Sequence, residues 1–253
     1  MSFNLFEKIL DPSQIVSGQE LESRYHHIWH MDEPLKAICL LMPASTDEVS
    51  SIMKICYEHN LPVVVHGGLT NLVGSTETYG NEVVISTERL NSIEEIDDSS
   101  RTMTVQSGVI LEHIHEAAAN NDLLFPLNFG ARGSAQIGGI ISTNAGGLRV
   151  LKYGMTRQLI LGLEAVMVDG TIISSMKKII KDNSAYDVKQ LFIGSEGTLG
   201  IVTKAILKLE EAPKSRNAAY IGFNNYENVV AFLKYMDSNL AGKLSGFELI
   251  WRN

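Results

Sequence analysis

Residues 62–75 read PVVVHGGLTNLVGS. An apolar, β-branched run of strand type ends in a histidine and a glycine pair, and no helical pattern follows. Glycines placed this way let a backbone approach a phosphate, and consecutive amide N–H groups in such a turn make an anion-binding concavity. No Lys or Arg lies between Pro62 and Ser75 to meet the charge. A plain inter-strand turn suits the same residues, because Gly and Asn are common in turns for steric reasons. Taken alone, the stretch leaves both readings open.

The flanking sequence sets this stretch in a β-α-β unit. Ile38–Met42 (ICLLM) has strand character and is closed by Pro43, and Ser45-Thr46-Asp47-Glu48 has the S-x-x-E form that opens a helix, here to about His59. Val83–Ser86 and Thr102–Ser107 continue as strands, and Leu111–Asn120 as a helix. Asp169-Gly170 joins Leu161–Val168 to Thr171–Ser174 as a hairpin. Leu191–Ile193 and Ile201–Leu209 are expected as strands around GSEGTLG. Residues 1–35 are expected to be an irregular lead-in, and a new strand (AAYIGF) and helix (NNYENVVAFLKYM) begin after Pro213.

Bulk properties narrow the class. The chain has 253 residues and a formal net charge of −8, which argues against a nucleic-acid surface built on clustered Lys and Arg. No stretch approaches the roughly 20 apolar residues of a membrane-spanning helix. The first 20 residues fit neither a secretory signal nor an Arg-rich transit peptide. Cys39 and Cys56, each set among apolar residues, are expected as buried free thiols, and the expected location is cytoplasmic.

Two more glycine-rich segments accompany the first. GARGSAQIGGIISTNAGG (130–147) is too rich in glycine for a helix interior, and GSEGTLG spans 194–200. There is no G-x-G, no G-x-x-x-x-G-K-[ST] and no G-x-S-x-G, which excludes the Rossmann fingerprint, the P-loop and the nucleophile elbow. IGGIISTN (137–144) alternates open backbone with hydroxyl and amide groups, a surface suited to a flat heteroaromatic ring. A tight crossing of two backbones accounts for it as well.

The runs LNFGARGSAQIGGIISTNAGGLRVLKYG (127–154), GLEAVMVDG (162–170), KDNSAYDVKQLFIGSEGTLGI (181–201) and PVVVHGGLTNLVG together resemble one family. It is the FAD-binding domain of the vanillyl-alcohol oxidase / p-cresol methylhydroxylase (PCMH-type) superfamily, in its D-2-hydroxyglutarate and D-lactate dehydrogenase branch. The resemblance covers roughly residues 36–253. It implies an α+β fold of PCMH type, with a small β-α-β subdomain (about 36–98) and a larger mixed or antiparallel subdomain (99–212). It also implies that 213–253 starts an incomplete cap domain, so that the substrate site, catalytic base and metal ligands lie beyond this chain.

By resemblance, FAD is the cofactor. Its pyrophosphate would be held by the main chain of Gly67, Gly68, Leu69, Thr70 and Asn71, next to His66, where relatives often have Arg or Gln. Relatives carry a third glycine where this chain has Leu69, which is expected to keep φ negative. Relatives with covalent flavin carry His where this chain has Thr70, so non-covalent FAD is expected. Ser134, Ile137, Gly138, Gly139, Ser142, Thr143 and Asn144 would run beside the flavin, with Pro126 just upstream. Glu196, Gly200 and Ile201 would lie near the adenine end. A side chain at Gly68 is expected to intrude on the phosphate and leave the fold intact.

The implied reaction is oxidation of a D-2-hydroxy acid to the 2-oxo acid, with an unidentified electron acceptor and no residue of this chain assigned as catalytic. A flavin-carrying subunit that needs a partner chain is the alternative, and a scaffold that binds no flavin is a third. The oligomeric state stays open, a homodimer included. HHIWHMD (26–32) superficially suggests a metal but falls in the lead-in, so no metal site is assigned. His113 and His115 do not share a helix face. Arg132, Arg149, Lys152 and Arg157 could attract an acidic substrate or stay solvated.

Overall fold

Two β-sheets carry the structure, a computed structural model that describes residues 3–24 and 33–251. The first is built from β1 (Ile15–Val16), β2 (Cys39–Leu41), β3 (Val63–His66) and β4 (Val83–Ser86), in the order β1-β2-β4-β3. β4 runs parallel to β2 and β3, and β1 is antiparallel to β2. Central strands of parallel sheets are covered on both faces and so read as unbroken apolar runs. Val83, Val84 and Ile85 are accordingly fully buried. Cys39, Leu41, Val83 and Ile85 share one core with helix α1 (Thr46–Glu58), while Leu40 and Val84 face the opposite way, toward Val16, Leu21 and Leu35.

α1 starts at Ser45, whose Oγ accepts the Glu48 amide at 3.2 Å. The Glu48 carboxylate turns back to accept the Ala44 amide (2.8 Å) and Gln14 Nε2 (2.7 Å). One helix start thereby also anchors the N-terminal segment. That segment does more than the lead-in expected from the sequence: it supplies β1 and buries Phe6 and Leu10 beside α1.

The second sheet and its helices follow as β5 (Ile93–Asp97), β6 (Thr102–Gln106), α2 (Leu111–Ala119), β7 (Leu123–Leu124), α3 (Ile137–Ser142), α4 (Val150–Tyr153), α5 (Thr156–Leu159), β8 (Ile160–Val166), β9 (Ile172–Ser175), α6 (Lys189–Phe192), β10 (Ile201–Lys208), β11 (Glu210–Glu211) and α7 (Tyr226–Leu240). Its order is β5-β6-β10-β8-β9, antiparallel throughout, and β7 pairs with β11 apart from it. The strand just before residue 98, β5, pairs in this second sheet. Between β9 and α6, Lys178 reaches β5 and pairs with Glu95 at 2.5 Å.

Three elements differ from the sequence reading. α3 is helical despite Gly138 and Gly139, because Ile137, Ile140 and Ile141 recur at helical spacing and are all buried. That apolar stripe outweighs roughly 1 kcal/mol of propensity lost per glycine. Leu191–Ile193 is no strand; Leu191 belongs to α6, whose Phe192 is buried in the main core. AAYIGF forms no strand, and Tyr220 is almost fully exposed, since no strand offers it an edge.

The two sheets are joined by side chains as well as by chain. Thr46 Oγ1 donates to Glu164 Oε1 at 2.7 Å, and Ser50 Oγ donates to the Gly170 carbonyl at 2.6 Å. Val166 and Ile201, from the second sheet, are buried in the core of the first.

Burial pushes the Cys39 and Cys56 thiols up to about 12, so both are neutral and unreactive at physiological pH. Ellman's reagent at pH 8 should leave both unmodified in the native protein and label both in urea. Prompt labelling of the native protein would contradict the burial of α1 on β2.

Candidate functional site

A cavity of about 700 Å³ lies between the two sheets. Its first wall is the turn leaving β3, with Gly67, Gly68, Leu69, Thr70 and Asn71. Its second is α3, with Gly138, Gly139, Ser142 and Thr143, and its third runs from Glu196 to Gly200 and Ile201. All three glycine-rich segments of the sequence meet here.

The turn has the properties of an anion cradle. Among the described residues, the amides of Gly67, Gly68, Leu69, Thr70 and Asn71 donate to no protein group. Leu69 has φ +54°, against the expectation of a negative value. A left-handed residue in such a turn swings successive N–H groups toward one concavity, and here the geometry of the turn overrides the preference of the side chain. The conformation costs a non-glycine residue about 1–2 kcal/mol.

Side chains around the turn hold it in place. His66 is buried, its Nε2 lies 3.0 Å from the Thr76 carbonyl, and it does not line the cavity. Asn71 spends its carboxamide on its own loop: Nδ2 donates to Thr76 Oγ1 (3.0 Å), and Oδ1 accepts the amides of Val73 and Gly74. The loop therefore faces the cavity with backbone donors.

Gly68 serves a different end from the one expected. A Cβ there would stand 2.0 Å from the Ser134 carbonyl oxygen and 2.9 Å from the Ala135 Cα. The constraint is backbone against backbone, so a side chain at 68 would unseat the loop from the wall. Gly138 is likewise packed on Ser107, at 2.7 Å from its Cβ. Gly139 is the open position, since a Cβ there would meet nothing within 4 Å.

Four other expected residues do not line the cavity. Ser134 contributes the carbonyl against Gly68, and Ile137 is buried beneath α3. Pro126 is buried and does not line the cavity. Asn144, at φ +49°, accepts the Arg157 amide on Oδ1 at 3.0 Å. Gln136, Thr87, Phe129 and Gly197 line the cavity but were missed, because nothing local distinguishes them in sequence.

The hydroxyls of α3 are already committed. Ser142 Oγ donates to the Gly138 carbonyl (2.8 Å) and Thr143 Oγ1 to that of Gly139 (3.0 Å), so each offers the cavity lone pairs only. Glu196, at φ +51°, lines the cavity, while its turn is tied by Ser195 Oγ to the Phe192 carbonyl and by Thr198 Oγ1 to that of Ser195. The Glu196 amide also ties the turn, donating to the Ser142 carbonyl at 2.9 Å, and its carboxylate takes no part in holding it.

Three of the four neighbouring cations have partners within the protein. Arg157 donates to the carbonyls of Gln190 (2.8 Å) and Ile193, clamping α6. Arg132 pairs with Glu112, and Lys152 stands over the Tyr153 ring. His115 Nε2 contacts the Leu127 carbonyl at 2.7 Å, and burial pulls its pKa down. The HHIWHMD segment lies outside the described residues.

Comparison with known proteins fits this geometry. The family described as "FAD binding domain" matches residues 37–175. The D-2-hydroxyglutarate–pyruvate transhydrogenase of Saccharomyces cerevisiae is 38% identical over 98% of this chain and 50% of its own length. The mitochondrial D-2-hydroxyglutarate dehydrogenases of Danio rerio and Rattus norvegicus are 37% and 41% identical, over 97% and 83% of this chain and 46% and 39% of theirs. The chain thus spans about half the length of these relatives or less. Among solved structures, alkyldihydroxyacetonephosphate synthase superposes with a TM-score of 0.78 at 19% identity, covering 95% of this chain and 46% of that one. A glucose oxidase variant of Phl p 4 superposes at 0.71 with 19% identity, covering 83% and 44%. The fold is α+β of the PCMH type, as the sequence suggested. The mitochondrial relatives overturn the cytoplasmic expectation, because buried thiols report a reducing surrounding and not which compartment supplies it.

The left-handed Leu69 makes a stability prediction. Leu69→Gly should leave the unfolding free energy unchanged or raise it by about 1 kcal/mol, while Leu69→Val, β-branched at positive φ, should lower it by at least that much. Urea unfolding checks both, and equal midpoints for the two variants would rule out the strained turn.

Proposed function

The chain belongs to the FAD-binding domain family, and from that premise we propose that its cavity holds FAD non-covalently in an oxidoreductase that converts a D-2-hydroxy acid to the 2-oxo acid. FAD is the cofactor of this family. The observation that carries the reading is the run of five adjacent amides, Gly67 to Asn71, with no protein acceptor among the described residues, at the edge of the cavity. A pyrophosphate is the group of FAD that needs such donors where no cation is present.

The other walls suit the rest of the dinucleotide. Gly139 leaves room for a ring face, and the Ser142 and Thr143 oxygens can accept a ring N–H. The Glu196 carboxylate can accept from sugar hydroxyls or the adenine amine. Thr70 offers a hydroxyl where covalent attachment needs an imidazole. Bound FAD supplies the hydride acceptor, and the residues of the chain bind and orient it. The hydroxy-acid substrate class rests on the relatives, which act on D-2-hydroxyglutarate. Residues 36–212 would form the FAD-binding unit.

One observation favours a second reading, a flavin carrier whose substrate groups come from elsewhere. No Lys, Arg or His lines the cavity among the described residues, so a substrate carboxylate finds no cation there. Both readings predict a yellow protein with bands near those of free flavin, released by acid precipitation. Gly139→Leu should remove the colour and leave the melting temperature of the apo form within a few degrees. A colourless protein that FAD titration fails to change would sink both readings. Under both readings residues 1–253 alone should not reduce a dye with D-2-hydroxyglutarate or D-lactate, and turnover would rule out the second.

A further inference from the structure

We infer that Gln136, oriented by Thr87, is a side-chain donor to the diphosphate of the bound dinucleotide. The inference rests on the FAD reading above and adds a group that the backbone cradle lacks.

Charge defines the problem. The residues lining the cavity include Glu196 and no Lys or Arg among those described, and the side chains of His66 and Asn71 are directed at their own loop. A diphosphate with about two charges has more acceptor oxygens than one turn of amides can satisfy, and donors to charged groups form the stronger bonds. Another donor beside the turn would contribute strongly.

Gln136 is placed to supply it. It lines the same cavity, and its main chain is fixed by a bridge to Ile110. Its Oε1 accepts from Thr87 Oγ1 at 2.6 Å and would lie 3.7 Å from a Cβ built on Gly67, the first residue of the turn. The carboxamide thus lies against the cradle. Among the described residues, Nε2 donates to no protein acceptor, which leaves two N–H groups uncommitted on a side chain that lines the cavity.

Thr87 decides which end of the amide faces the cavity. Its hydroxyl has one proton and two acceptors in reach, Gln136 Oε1 at 2.6 Å and the His66 carbonyl at 3.3 Å. That carbonyl already accepts the Thr87 amide at 3.0 Å. The shorter bond takes the proton, Oε1 is held toward Thr87, and Nε2 is turned away from it. The reverse orientation would present an oxygen to the anion and repel it. Thr87 is therefore a positioning residue acting through Gln136.

Binding of FAD and of riboflavin, which has the same ring and no diphosphate, tests this by flavin fluorescence on the full chain. Gln136→Leu should weaken FAD about 10-fold or more. The isosteric Gln136→Glu, which places a charge against the phosphates, should weaken it further. Thr87→Val should fall between wild type and Gln136→Leu, and Thr87→Ser should restore affinity. Riboflavin affinity should be unchanged in all four. Equal FAD affinity for wild type and Gln136→Glu would overturn the inference, as would parallel loss of FAD and riboflavin, the mark of a merely structural residue. Gln136→Glu keeps the shape of the side chain, so it stays readable if the leucine variant misfolds. Failure of the wild-type chain to bind FAD would instead refute the FAD reading itself.

Discussion

The structure depends on close approaches that only glycine permits. Gly68 lies on the Ser134 carbonyl, Gly138 on Ser107, and Gly108 on the carbonyls of Thr87 and Leu90, where a Cβ would stand 1.9 Å from the nearer oxygen. These approaches bring the turn after β3, α3 and the start of α2 into register around one cavity. A methyl group at any of the three would force polypeptide to shift, and packed interiors have little slack for that. The cavity is thus set by where side chains are missing as much as by those present.

From this follows a division of labour. Glycines that permit the close approach are structural, although each sits beside the site, and Gly139 alone of the α3 pair opens freely onto it. Polar side chains divide in the same way. Asn71, Asn144 and Arg157 secure loops, while Gln136 and Glu196 present groups that the protein leaves unspent. Proximity to a cofactor site and contact with it are separate properties.

Much of the fold was legible because it rests on local periodicity. The apolar runs at 39–41, 63–66 and 83–86 and the cap at Ser45 announce the β-α-β unit, and Asp169-Gly170 announces the β8–β9 hairpin. α3 and α6 were misjudged because tertiary burial of Ile137, Ile140, Ile141 and Phe192 overrides local preference. The turn at 67–71 could be located in the sequence, but its handedness at Leu69 could not, since tertiary packing of the turn overrules the side chain. Gln136 and Thr87 stayed hidden because their partnership spans 49 residues and exists only after folding.

The sharing of Val166 and Ile201 across the sheets, with the Thr46–Glu164 and Ser50–Gly170 bonds, bears on traffic through the cavity. Parting the sheets would expose buried apolar side chains and break those bonds together, so a clamshell motion is costly. The exposed Leu72 and the Glu196–Gly197 turn line the cavity on loops outside both sheets. Opening of the cavity is thereby left to surface loops such as these and not to parting of the sheets.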